Sequence, residues 1–279
     1  MIVTKANLAL CLLTFALSPL AALAASDIQI NLKMDCTDYV SGERIRGVVD
    51  VANGSADRIS VGGPDATDRL FIEVYRVSDQ QRLTRLSKGV FVAAFTLESG
   101  EGQKLATCLG DHYALREPSR YYAKPVLVHG RSRYEGEIRV FDVVDGVGVS
   151  HATQVFANRE GLQREFSLVR WTRKHVEHLF LKAQDAGVSK RAWETRDLGP
   201  ILRIDKPTIS ILPTGEVITL HRLNADQFLR SEFWSLTKTV EFRGQETVRD
   251  PETAGTARVR ELYKDSGVKP KENPWWKFW

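Results

Sequence analysis

Cysteine is scarce in this chain, and so is any imbalance of charge. Three of its 279 residues are cysteine, and Cys11 falls in the N-terminal apolar run, which leaves Cys36 and Cys108. That is too few for a disulfide-dense scaffold or a four-cysteine zinc site. Basic and acidic residues nearly cancel, 39 against 35. The dense basic stripe that nucleic acid demands is therefore missing, and no nucleic-acid partner is expected. No apolar run reaches the about 20 residues of a membrane-spanning helix. No segment repeats at a fixed period, which excludes a propeller or a solenoid. Also absent are a GxSxG elbow, an HExxH pair, an EF-hand loop and a glycine-rich loop opening a helix. The chain is expected to be no enzyme and to hold no cofactor and no metal.

What is present begins with a leader. Lys5 supplies a positive start, Leu8 to Leu17 a short apolar stretch, and Ser18-Pro19 breaks it. Ala22 and Ala24 fit the small-x-small pattern of a signal peptidase site, so residues 1–24 read as a signal peptide. Export to the periplasm, the cell surface or the medium follows as the expectation. In an oxidising compartment an even pair of cysteines points to a Cys36–Cys108 disulfide, the alternative being two separate buried thiols.

The rest reads as β. In "DIQINLKMDC", Ile28, Ile30, Leu32 and Met34 share one face of a strand. "RIRGVVDVAN" ends in the turn pair Asn53-Gly54. In "RLFIEVYRVS", Leu70, Ile72 and Val74 face one way and Phe71, Glu73 and Tyr75 the other. Short strands with turns every eight to twelve residues or so indicate a sandwich. The fold class expected is all-β, an antiparallel β-sandwich followed by an antiparallel β-meander, with a weakly ordered C-terminal tail.

"LREPSRYY" places a leucine, a proline and Tyr121 as in the tyrosine corner of immunoglobulin-like and fibronectin type III-like sandwiches, which residues 25–157 resemble. The glycine usual in that corner is Ser119 here. The resemblance implies a buried Tyr121 whose hydroxyl bonds nearby backbone, and a binding or scaffolding role. "ANREGLQ" marks the boundary to a meander domain over residues 158–244. Within it "KPTISILPTGEVITLHR" is similar to one strand pair of a β-propeller blade, turning at Pro213-Thr214-Gly215. Residues 245–279 turn polar and rich in Gly and Pro, as a low-order linker does.

That linker ends in Trp275, Trp276, Lys277, Phe278 and Trp279. Such a segment either folds back to fill a gap in the core or serves as an interfacial anchor. Tryptophan favours the membrane–water boundary, and nearby lysines attract anionic head groups. The partner expected is an envelope component, a protein or a membrane surface.

Weaker chemical signals have structural explanations. His175 and His178 diverge on a strand, and adjacent Ser150 and His151 cannot form a dyad on an extended chain. Asp142 and Asp145 sit near a glycine-bearing turn. Trp171, Trp193 and Trp234 read as core before they read as a carbohydrate platform. The function expected is non-catalytic binding or scaffolding at the cell envelope. The alternatives are a glycan-acting hydrolase or accessory carbohydrate-binding protein, and a protease-inhibitor-like module.

Overall fold

A computed structural model describes residues 28–62, 66–86, 90–156, 161–186 and 193–249. The segment expected to be a leader, residues 1–24, and the aromatic segment Trp275–Trp279 lie outside the described residues.

The first ten strands are β1 (Ile28–Met34), β2 (Asp38–Val40), β3 (Arg46–Asn53), β4 (Ile59–Val61), β5 (Arg69–Arg76), β6 (Phe95–Leu97), β7 (Gly102–Cys108), β8 (Ser119–His129), β9 (Ser132–Glu135) and β10 (Arg139–Val144). One sheet runs β1-β3-β7 and the other β2-β10-β8-β5 with β9 beside β8, while β4 and β6 form a separate two-stranded antiparallel ladder. All pairs in these two sheets are antiparallel except β2 with β10. The period-two pattern dictates what they bury. Ile28, Ile30 and Leu32 from one sheet meet Leu70, Ile72 and Val74 from the other in a single apolar core, with Tyr121 and Phe141 between them.

Tyr121 is fully buried, and its hydroxyl donates to Glu117 O at 2.8 Å. Tyr122, its neighbour, points to the opposite face and stacks on Tyr75 with 4.8 Å between ring centres. Tyr113 adds a second buried hydroxyl, which donates to Ile72 O.

The expected Cys36–Cys108 disulfide is not formed; both thiols are free. The reason lies in strand order. Cys36 follows β1 and Cys108 ends β7, and β3 runs between those two strands. Gly47 pairs with Met34 on one side while Arg46 pairs with Cys108 on the other. Two strand spacings amount to about 9–10 Å, more than the ~7 Å a disulfide spans between Cα atoms. Burial pushes both thiols above their usual range.

The remaining strands are β11 (Val147–Val155), β12 (Gln163–Arg173), β13 (Val176–Ala186), β14 (Arg196–Pro200), β15 (Thr208–Ile211), β16 (Glu216–Arg222), β17 (Phe228–Leu236) and β18 (Thr239–Val248). They form two antiparallel four-stranded sheets in chain order, β11 to β14 and β15 to β18. Phe166, Leu168, Leu179 and Leu181 of one pack against Val217 and Phe233 of the other. The expected antiparallel meander is thus present, folded as two four-stranded sheets packed face to face into a second sandwich with its own core.

Two boundaries shift with it. The first sandwich ends at Val144, not at residue 157, because β11 pairs along its length with β12. Gly146, at φ +72°, makes the crossing after Asp145. The last strand extends past residue 244 to Val248, since pairing with β17 orders a segment whose composition alone is polar.

A charge sits inside the second core. Arg164 is fully buried, and its Nε donates to Asp185 at 2.6 Å. Its Nη1 reaches Ser235 Oγ and Leu236 O, both at 2.8 Å, tying down the β17–β18 turn. Trp193 lies under the guanidinium at 4.5 Å and donates its own N–H to Asp185 at 3.0 Å.

Candidate functional site

The two sandwiches meet at the loop after β2. Val40 packs with Val169 and Phe180, with Val144 and Trp171 at the margin. Arg173, at the end of β12, gathers the polar groups around this apolar spot. Its Nη2 donates to Glu43 Oε2 at 2.6 Å and to Asp38 O at 3.1 Å, and its Nη1 donates to Asp197 Oδ2 at 3.1 Å. Asp197 also takes His178 Nδ1 at 3.1 Å. Glu43 accepts the Val40 N–H at 2.5 Å. Burial pushes the Glu43 carboxyl up, and Arg173 opposes that push.

Gly42 permits the approach. Its φ is +90°, and a Cβ there would come within 2.6 Å of Thr195 Oγ1. Thr195 returns two bonds, Oγ1 to Ser41 O at 2.7 Å and N to Gly42 O at 2.9 Å. The chemistry of this cluster is that of a joint.

A second polar surface lies on the outer face of the β15–β18 sheet. Register puts Glu216 opposite Trp234, Leu220 opposite Arg230 and Arg222 opposite Phe228. Arg222 stacks over Phe228 at 4.4 Å, and Arg243 over Trp234 at 5.4 Å. Arg230 is only 4% exposed, although it stands on an outer face. Its Nη1 serves Glu232 and Glu246, while Nε and Nη2 find no partner. Glu216 is 5% exposed, and its Oε1 is likewise unpartnered. Buried polar atoms of this kind cost free energy until something bonds them.

The inner face of that sheet holds His221, which is 2% exposed. Its Nε2 lies 3.2 Å from Pro200 O, and burial drives its pKa down to about 4.

The residues singled out from sequence are dispersed. Ser150 and His151 point to opposite faces of β11. Lys174 and His175 are not in a strand but form the two-residue turn between β12 and β13, both at positive φ. Asp142 pairs with Arg120 at 2.8 and 2.9 Å, and Asp145 with Lys182 at 3.4 Å. Among the described residues no three His, Cys, Asp or Glu side chains come together as metal ligands. Trp193 is core, Trp171 lies at the joint, and Trp234 is on the outer face.

Sequence reasoning missed Arg164, Arg173, Arg230 and Glu43. A signal existed for the first: Arg164 shares its alternation with Phe166 and Leu168, which places it on the inward face.

No family model matches the chain, and no curated protein matches it. Among solved structures it is similar to the sporulation control protein Spo0M from Bacillus subtilis, at 10% identity over 86% of this chain and 97% of that one, with a TM-score of 0.31. It is also similar to the periplasmic chaperone SfaE, at 10% identity over 77% of this chain and 97% of that one, with a TM-score of 0.26.

Proposed function

We propose that this chain is an exported, non-catalytic binding or scaffolding protein of the cell envelope, with an Ig-like first sandwich and its contact surface on the outer face of β15–β18. The observation that carries the reading is Arg230, nearly buried on an outward face with two donor atoms unpaired. Glu216 adds an unpaired acceptor, and half-buried Trp234 adds apolar area. A partner offering both a hydrogen-bonding edge and an apolar face satisfies these groups together once the side chains that cover them swing aside. The leader pattern of residues 1–24 supports export.

Arg230→Met and Trp234→Ala are each expected to weaken retention on isolated envelopes at least about tenfold, the size of a hydrogen-bond-scale loss. Melting temperature serves as the control for folding. Retention equal to wild type in both variants overturns the reading.

The segment Trp275–Trp279 adds a second contact in this proposal, as an anchor to anionic membrane surface. Deleting Pro274–Trp279 should abolish co-sedimentation with anionic liposomes and leave melting unchanged. Unchanged sedimentation with lowered melting would assign the segment to the core instead.

A further inference from the structure

Edge strands offer unpaired backbone groups, and proteins protect them with charge, proline or cover. Of the four edges of the second sandwich, β15 is protected by being only four residues long, and two others by charge. β14 carries Arg196 and Asp197, and β18 carries Glu241, Arg243 and Glu246. β11 differs. It is nine residues long, "VGVSHATQV", with no Asp, Glu, Lys, Arg or Pro. It hydrogen-bonds only β12 within its sheet. On its inner side Val149 packs with Ile209 and Ile211 of β15 against the second core. Its outward row, His151, Thr153 and Val155, is exposed, Val155 to 69%. A register shift between Gly148 and Ser150 bends the strand. The shift leaves Ser150–Val155 as the regular part available for pairing.

We propose that β11 pairs antiparallel with β11 of a second copy of this chain, about a two-fold axis at Thr153. Three features favour a second copy as the occupant. An isologous contact sets each residue against its mirror position, so a charged edge would repel itself, and this edge has no fixed charge to repel. Centred on Thr153, the outward row is self-complementary: Thr153 faces Thr153 of the second copy, and exposed Val155 is covered beside the second copy's His151. The inward residues Ala152 and Gln154 then face each other, and Gln154, held by Ser235 of its own chain, leaves room for the small Ala152 opposite it. The result is one continuous eight-stranded sheet. One strand pair is a small interface, so the dimer is weak and depends on concentration.

The test uses the mature chain with Cys36→Ser and Cys108→Ser. Opposed Cα atoms in an antiparallel pair lie about 4.5–5.5 Å apart, within the range a disulfide spans. Under mild oxidation Thr153→Cys should give a crosslinked dimer, while Val155→Cys, set opposite His151, should not. Sedimentation velocity of wild type should show a concentration-dependent dimer. Thr153→Lys should remove it at unchanged melting temperature, because the site is exposed and the added charges face each other. A wild type that stays monomeric, or Thr153→Cys crosslinking no faster than Val155→Cys, overturns the proposal. So does a monomer that binds a synthetic strand peptide, which would make the occupant a foreign strand.

Discussion

The two sandwiches hold together by different means. The first is closed by one large apolar core, with the buried hydroxyls of Tyr113 and Tyr121 bonded to backbone and that of Tyr39 to Asp35, and its buried Glu73 stands on the outward row of β5 among Arg82, Lys124 and Arg133. The second has a smaller apolar core and fills the rest of its interior with Arg164, Asp185, Thr219, His221, Ser231 and Ser235. Burying apolar area stabilises at every pH. A buried polar network stabilises only while all its members are present and correctly protonated. The second sandwich should therefore be the half that fails first under substitution or acid.

The sharpest way to break that contrast is Arg164→Ala. It leaves Asp185 buried without its counter-charge and frees the β17–β18 turn. The expected loss is about 3–5 kcal/mol, read from urea unfolding. A loss of less than about 1 kcal/mol would mean that water replaces the guanidinium.

Acid comes next. The folded pKa of His221 is depressed to about 4 from its ordinary value near 6.5. The unfolded chain then binds the proton first as pH falls, so stability declines from about pH 6.5 down to about pH 4 and levels off below. The contribution is about 3 kcal/mol over that window. His112, held down by burial in the first sandwich, adds to the decline with the same sign. His221→Gln should flatten most of this pH dependence. An unaltered slope would place its origin elsewhere.

The joint can be sharpened with Gly42→Ala, which meets both the positive φ and Thr195 Oγ1. It should cost about 1–3 kcal/mol. The expected calorimetric trace splits into two transitions as the sandwiches lose contact, and a single shifted transition would show the joint to be dispensable for coupling. The smallest effect belongs to the first sandwich. Tyr121→Phe should cost about 1–2 kcal/mol by orphaning Glu117 O, while Tyr122→Phe should fall within ~0.5 kcal/mol of wild type. Equal effects at the two positions would remove the special role of the corner.

Much of the first sandwich was legible from period-two alternation. The inward sets of β1 and β5 follow directly from "IQINL" and "LFIEV", and the β15–β16 hairpin follows from Pro213-Thr214-Gly215. The division of the chain was not legible. β11 has too few large apolar residues to declare its sheet, and only its pairing with β12 assigns it. The free cysteines were hidden for a similar reason, since no local pattern reveals that β3 lies between them. The joint is built from Glu43, Arg173 and Asp197, far apart in sequence and each ordinary on its own strand or loop.

The parallel pairing of β2 with β10 has a temporal consequence. Residues 38–40 can find 142–144 only after on the order of a hundred intervening residues exist, and closing such a loop costs about 4 kcal/mol of chain entropy. On a chain that emerges N-terminus first, Tyr39 and Val40 wait with their apolar faces uncovered until β10 arrives. The docking of β13 on Val40 follows later still. Assembly of the two halves is thus ordered in time by a three-residue strand, and slowing the release of residues 139–144 should prolong the aggregation-prone interval more than a delay anywhere after β11.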